Sequence, residues 1–227
     1  MLLTHSLIKL LLTLSLTLFI TSCSTPRLFI NSDLPVIVDD AKFILLPTEI
    51  HGLSGENAAR EAVFYESFEA AFGAQIINTP PHSSLLKNNG FVDVSWQMSH
   101  AMHRLVTEQD CFSYAQAYQL ALDNGEASSK FRALDRDVYQ LSRWLKQAYQ
   151  LPVVPEYIAI AHIDSMGVSL AGKLIKYRVI AGIYATQHQA LERVVSYVAE
   201  SPNHHKAILH DLDNLGFLIY RELFELD

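Results

Sequence analysis

Cysteine, histidine and serine are the residues of this chain whose types and spacing could do chemistry. There are two cysteines, Cys23 and Cys111. A free Cys111 could act as a nucleophile or redox thiol. Yet Cys111, Ala115, Tyr118 and Leu122 recur at helical spacing, which places the thiol on an apolar face as a small hydrophobe. His100 and His103 stand three apart and would be neighbours on a helix, close enough to share a metal. No acid or cysteine accompanies them on that face, so no metal is expected there. With Trp96 on the same side, the three read as a contact surface, because tryptophan is enriched in binding hot spots. Gly167-Val168-Ser169-Leu170-Ala171 approaches the nucleophile elbow, but Ala171 stands where a second glycine belongs. It also falls between two strand-like runs, whereas the elbow needs a strand-to-helix turn. His162 lies in an apolar run and reads as a hydrogen-bonded core residue, although its ionisation near neutral pH would suit a sensor. Ser201-Pro202-Asn203-His204-His205, with His210 beyond, reads as a capped helix start with polar first-turn residues. Neither glycine-rich nucleotide signature occurs. No catalytic residue, metal or cofactor is therefore expected.

Cys23 has a different context. After His5 and Lys9 comes a solid apolar block from Leu10 to Ile20, then Thr21 and Ser22. A weakly basic start, an apolar segment and small residues outline an export signal. The block is shorter than the ~20 apolar residues of a membrane-spanning helix, and no basic stop follows it. Ile20-Thr21-Ser22-Cys23 resembles the lipobox of bacterial lipoproteins. The resemblance implies cleavage before Cys23 and lipid on its sulfur and new amino terminus. Two or more acyl chains anchor stably where one does not. An Asp after the lipidated cysteine commonly retains such proteins in the inner membrane, so Ser24 implies the outer membrane. If Cys23 is acylated, Cys111 has no partner for a disulfide within the chain.

Removing residues 1–22 leaves 205 of the 227, enough for one substantial domain. The whole chain carries a formal charge of −7, and the removed segment holds only Lys9, so the mature chain is at −8. An acidic chain with no basic run has no footprint for nucleic acid and no polybasic stretch for anionic lipid. Residues 24–41 read as a tether reaching roughly 60 Å when extended. Phe43-Ile44-Leu45-Leu46-Pro47 reads as a buried strand, Thr48 to Gly55 as a loop, Glu56 to Phe72 as a helix, and Gln75 to Asn78 as a second strand. Three amphipathic helices are expected next. Their stripes are Val94/Met98/Met102/Leu105, then Cys111 to Leu122, then Leu134/Val138/Leu141/Leu145/Ala148. Tyr157 to Ile163 reads as a central strand covered on both faces. Leu174 to Ala185 and Leu191 to Ala199 continue a meander. A last helix has the stripe Ile208/Leu212/Leu215/Ile219/Leu223.

The expected fold is α/β: a mixed sheet of about five strands flanked by helices, with a three-helix insertion between the second and third strands. The division is a signal at 1–22, a lipidated tether at 23–41 and a single periplasmic α/β domain at 42–227. In element order, from Phe43-Ile44-Leu45-Leu46-Pro47 to the hairpin after Tyr157-Ile158-Ala159-Ile160-Ala161-His162-Ile163, the chain resembles a group of envelope lipoproteins. They share the fold of the TolB N-terminal domain, the curli-secretion lipoprotein CsgG and the penicillin-binding-protein activator LpoB. The pore-forming hairpins of CsgG have no counterpart, since residues 91–150 carry helical periodicity. The tether is also short beside the long flexible one of LpoB. The resemblance implies an adaptor or assembly factor for an envelope machine, held to the outer membrane through Cys23, with an envelope protein as partner. Trp96, His100 and His103 are the candidate partner surface. The alternatives are a periplasmic hydrolase using His162, His204 or His205 with acidic residues, or a homo-oligomeric structural lipoprotein.

Overall fold

The structure, a computed structural model, describes residues 26–51, 57–77, 86, 88–91, 94–107, 128–169 and 171–224. Its strands are β1 (Arg27–Ile30), β2 (Phe43–Leu45), β3 (Glu49–His51), β4 (Tyr157–Val168), β5 (Leu174–Ala185) and β6 (Ala190–Pro202). Its helices are α1 (Asn57–Phe72), α2 (Val94–Thr107), α3 (Ser128–Ala148) and α4 (His205–Phe224), and a short 3-10 turn, Gly73–Gln75, follows α1. The sheet runs β1-β6-β5-β4-β2, with β3 also alongside β4. β2 and β3 are parallel to β4, and the remaining pairs are antiparallel. The mixed sheet and flanking helices are those expected from the order of elements.

Helices cover both faces. On one side α2 lies directly against β4, β5, β6 and β1, and α3 packs on α2. Met98, Met102, Leu105, Val138, Leu141 and Leu145 meet Ile44, Ile158, Ile160, Ile180 and Val194 of the sheet there. On the other side α1 and α4 meet Phe43, Leu45, Ala159, Ala161, Tyr177, Val179 and Ala181. The alternation within β4 explains the division: Ile158 and Ile160 face one layer while Ala159, Ala161 and Ile163 face the other. Small alanines on the second face leave room for rings. Phe43, Phe68, Phe72, Tyr220 and Phe224 fill it, with edge contacts at 4.9–5.8 Å around Phe72. Each buried ring contributes about 1.5–3 kcal/mol, and each such pair about 0.5–1.5 kcal/mol more.

Several boundaries differ from expectation. The expected loop from Thr48 contains β3, because Pro47 interrupts an edge run without ending it. Leu45 pairs with Ala159 and Glu49 with His162, so four steps on one strand match three on the other. That extra residue is a bulge, placed where proline has no N–H to donate. The expected strand at Gln75 to Asn78 reduces to one parallel bridge between Ile76 and Phe43, with the Ile77 N–H donating to the Phe43 carbonyl at 3.0 Å. Of the expected three-helix insertion, α2 is present with its predicted stripe and α3 with Val138, Leu141 and Leu145 buried, while Ala148 at its end is exposed; the helix around Cys111 lies outside the described residues. Ser201 and Pro202 complete β6 instead of opening the last helix, which begins at His205.

The tether is shorter than expected. Residues 27–30 form an edge strand in register with Ser196 to Arg193, and Phe29 is buried. Asn31 donates from its side chain to the Leu191 carbonyl and from its backbone to the Glu192 carbonyl. Ile37 and Ala41 are buried as well. Only the chain ahead of Arg27 is left to link the domain to Cys23.

α1 and α4 approach closely at Gly216. A β-carbon there would lie 2.0 Å from Ser67 Oγ and 2.6 Å from the Phe68 backbone nitrogen. Backbone cannot swing aside as a side chain can. Gly216→Ala should therefore cost about 1–3 kcal/mol, read as a lowered urea midpoint, and adding Ser67→Gly should restore only part of it.

Candidate functional site

Toward the end of the sheet where β4 turns into β5, several polar side chains come together. Register places Asp164 opposite Arg178, and Arg178 opposite Val198. β3 runs beside them with Glu49 in register with His162 and His51 with Asp164. His162 is buried, and its Nε2 lies 2.7 Å from Asp164 Oδ1, which reaches solvent. This agrees with a hydrogen-bonded core histidine. From α2, His103 is exposed, and Arg178 donates to its ring, 3.0 Å from Nε2. A donating guanidinium requires that the accepting nitrogen carry no hydrogen.

The rest of the predicted contact surface divides. Val94, Met98, Met102 and Leu105 are buried, so His103 stands on the outward side of α2 as expected. Trp96 and His100 share that helix, but their side chains are outside what is described. Cys23 and Cys111 also lie outside the described residues. Ser169 sits in the turn between β4 and β5, where its Oγ accepts from the Leu174 N–H at 3.1 Å. That is a strand-to-strand setting, as its sequence neighbours indicated. His204 caps α4, its Nδ1 accepting from the Ala207 N–H at 3.2 Å. His210 pairs along the helix with Asn214.

The sheet keeps the histidines of the hydrolase alternative apart. His162 shares its face with Ile158 and Ile160, toward α2, whereas His204 and His205 start the helix on the opposite face. No group of three or more metal-ligating side chains occurs among the described residues. No helix of the described residues is long and apolar enough to cross a membrane.

Two buried polar groupings were not legible in the sequence. The Tyr177 hydroxyl lies 2.9 Å from Ser201 Oγ, which donates to Asp211 of α4. Burial pushes the Tyr177 phenol up to about 12, against the lowering effect of the Ser201 hydrogen bond. This chain ties the sheet to α4 where Ser201 was expected to be a helix cap. The second grouping is centred on Glu192. Ile183 pairs with Arg193 and Tyr184 with Leu191, so Glu192 is the extra residue of a bulge in β6. Its carboxylate is buried and accepts from the Ile37 N–H. Burial pushes it up to about 7, with Arg193 and the Ile37 N–H pulling the other way. Arg193 turns to α4, where it donates to the Leu223 carbonyl at 2.9 Å and lies over the Phe224 ring.

No family model and no curated protein matches the chain. Among solved structures, it is similar to a PelC dodecamer from Paraburkholderia phytofirmans crystallised in space group C2. The TM-score is 0.44 at 8% identity, over 88% of this chain and 98% of that one. A second PelC dodecamer from the same organism, in space group P6, gives 0.41 at 8% identity, over 88% and 96%. The hypothetical protein CT253 from Chlamydia trachomatis gives 0.32 at 12% identity, over 81% and 91%. Likeness at this level leaves function to be argued from the chain's own residues.

Glu192 gives a measurable pH dependence. Below its ordinary value near 4.5, the carboxyl is protonated folded or unfolded. Between there and about 7 the unfolded chain releases the proton while the folded chain holds it, so stability falls as pH rises through this window. Above it the loss is complete. Glu192→Gln keeps an acceptor for Ile37, so urea unfolding of wild type and variant at pH 5 and pH 8 should show a flatter fall in the variant.

Proposed function

We propose that this chain is an outer-membrane lipoprotein, cleaved before Cys23 and acylated there, with its α/β domain in the periplasm. It acts there as an adaptor or assembly factor for an envelope machine. The observation that carries the reading is Ile20-Thr21-Ser22-Cys23 directly behind the apolar block Leu10 to Ile20. The short link from Cys23 to Arg27 is consistent with it, since the domain would be held close to the bilayer. Mechanism would then be localisation, with the anchor raising effective concentration for membrane-bound partners. Ser24 supports the outer membrane as destination. The exposed side of α2 around His103, with Trp96 and His100 on the same helix, is the proposed partner surface.

A homo-oligomer is the second reading, and one observation favours it. β1 pairs with β6 alone among the described residues, and Leu28 and Ile30 are exposed on it. An open edge with apolar side chains is a template for pairing with another strand. The mass of the detergent-solubilised protein separates this from the adaptor.

In-cell crosslinking of wild type and Cys23→Ala, with mass spectrometry of what is captured, tests the main reading. Wild type should fractionate with the outer membrane and capture one recurrent envelope protein, and Cys23→Ala should lose both. Release of neither on Cys23→Ala would overturn the anchor, and capture of copies of itself alone would move the reading to the homo-oligomer.

A further inference from the structure

The strand registers place the amino-terminal link and the β4–β5 turn at the same end of the domain. Arg27 pairs with Ser196 in antiparallel sense, so the chain ahead of Arg27 heads along β6 toward Pro202. Pro202 pairs with Leu174, the first residue of β5 after the turn. From the level of Arg27 to that of Leu174 is six residues of β6, about 20 Å. Cys23 precedes Arg27 by four residues and reaches at most about 14 Å from it. If the link runs straight on from β1, the turn therefore projects beyond Cys23 by roughly 6 Å.

That projecting end has a composition unlike the rest of the chain. Met166, Val168 and Leu174 are exposed there at 44%, 52% and 43%. Lys173 is exposed in the turn, and the Asn203 N–H and side chain donate to the carbonyls of Lys173 and Gly172. Those bonds hold the start of α4 against the turn and bring Lys206, exposed, to the same end. Neither Ser165 to Ile175 nor Ser201 to His210 contains an acidic residue, in a chain of net charge −7. The nearest acids by sequence are engaged: Asp164 with His162, Glu200 with Lys176, and Asp211 with Ser201.

We infer that the β4–β5 turn is a second, non-covalent membrane contact, in which Met166, Val168 and Leu174 enter the headgroup layer and Lys173 and Lys206 meet anionic lipid. The occupant is the bilayer that holds Cys23, and in this the inference rests on the acylation proposed above. Apolar side chains of surface-bound proteins enter about 5–10 Å into the headgroup and acyl boundary, which matches the projection. Two contacts two to three strand spacings apart across the sheet, about 10–15 Å, orient the domain where one acyl anchor leaves it free to swivel.

A photoreactive benzoylphenylalanine at Val168 of the full mature chain tests this, with the same probe at Val153 as control. Val153 is also exposed but precedes β4, at the opposite end of the sheet. The protein is irradiated with vesicles of phosphatidylethanolamine containing a minority of phosphatidylglycerol. The expected result is a phospholipid adduct at 168 and none at 153, with the yield reduced about fivefold by Lys173→Glu or Lys206→Glu. A protein adduct at 168, equal lipid adducts at both sites, or no adduct would overturn the contact. Intact mass of the same sample reports acylation independently. An unacylated chain that still gives the adduct refutes the anchor and retains the turn, and an acylated chain without it does the reverse.

Discussion

A strand covered on both faces has no water for its backbone, so every N–H and carbonyl must be paired within the sheet. The middle of β5 meets this condition, with β4 and β6 on either side and helices above and below. Ile180 and Tyr184 face one layer, Val179, Ala181 and Ile183 the other. Even Gly182 is tight, since a β-carbon there would lie 2.5 Å from Met102 Sδ and 3.2 Å from the Arg193 carbonyl oxygen. Polar chemistry is thereby displaced to the ends of the strands and to the helix exteriors. His162–Asp164, Arg178–His103 and Tyr177–Ser201–Asp211 all lie toward the end where the covering layers run out.

The amino-terminal segment shows what the same condition demands at an edge. β6 would otherwise present a long row of unpaired groups, and β1 covers the middle of it. Where the pairing stops, Asn31 supplies a side-chain donor to the Leu191 carbonyl, and the bulge at Glu192 turns a carboxylate inward to meet Ile37. The carboxylate is an expensive acceptor, because the desolvation that raises its pKa opposes its charge. It ties residues 31–37 across an irregular stretch of β6 that a regular ladder would not reach.

Periodicity made much of this legible in the residues alone. The apolar run Tyr157 to Ile163, the alternation from Leu174 and the stripes of α2, α3 and α4 all gave the right element. They did so because their burial is set by faces that repeat at 2 or 3.6 residues. β1 and β3 were missed for a different reason. Each is only three or four residues long, and each is held by a strand more than a hundred residues away, at Ser196 and His162. Pro47 also disguised β3, because a proline in a run reads as an ending. Ser201-Pro202 resembled a helix start because helix caps and strand ends use the same residue types. The candidate surface on α2 was legible as a face. The pairing of Arg178 with His103 was not, since it depends on a sheet register fixed by the fold as a whole.

The direction of β1 also determines how the domain responds to mechanical load. Tension on the chain ahead of Arg27, when directed along β1, loads that strand lengthwise against its antiparallel neighbour β6. The rungs of that ladder are strained together in shear, whereas a strand peeled from its end would release them one by one. Asn31 and the packed residues Ile37 and Ala41 lie behind the ladder, on the side away from the pull. An edge strand of four residues can in this way transmit force into the core as a grip. Its failure would be governed by the rate at which the whole ladder slips, a kinetic quantity distinct from the domain's equilibrium stability.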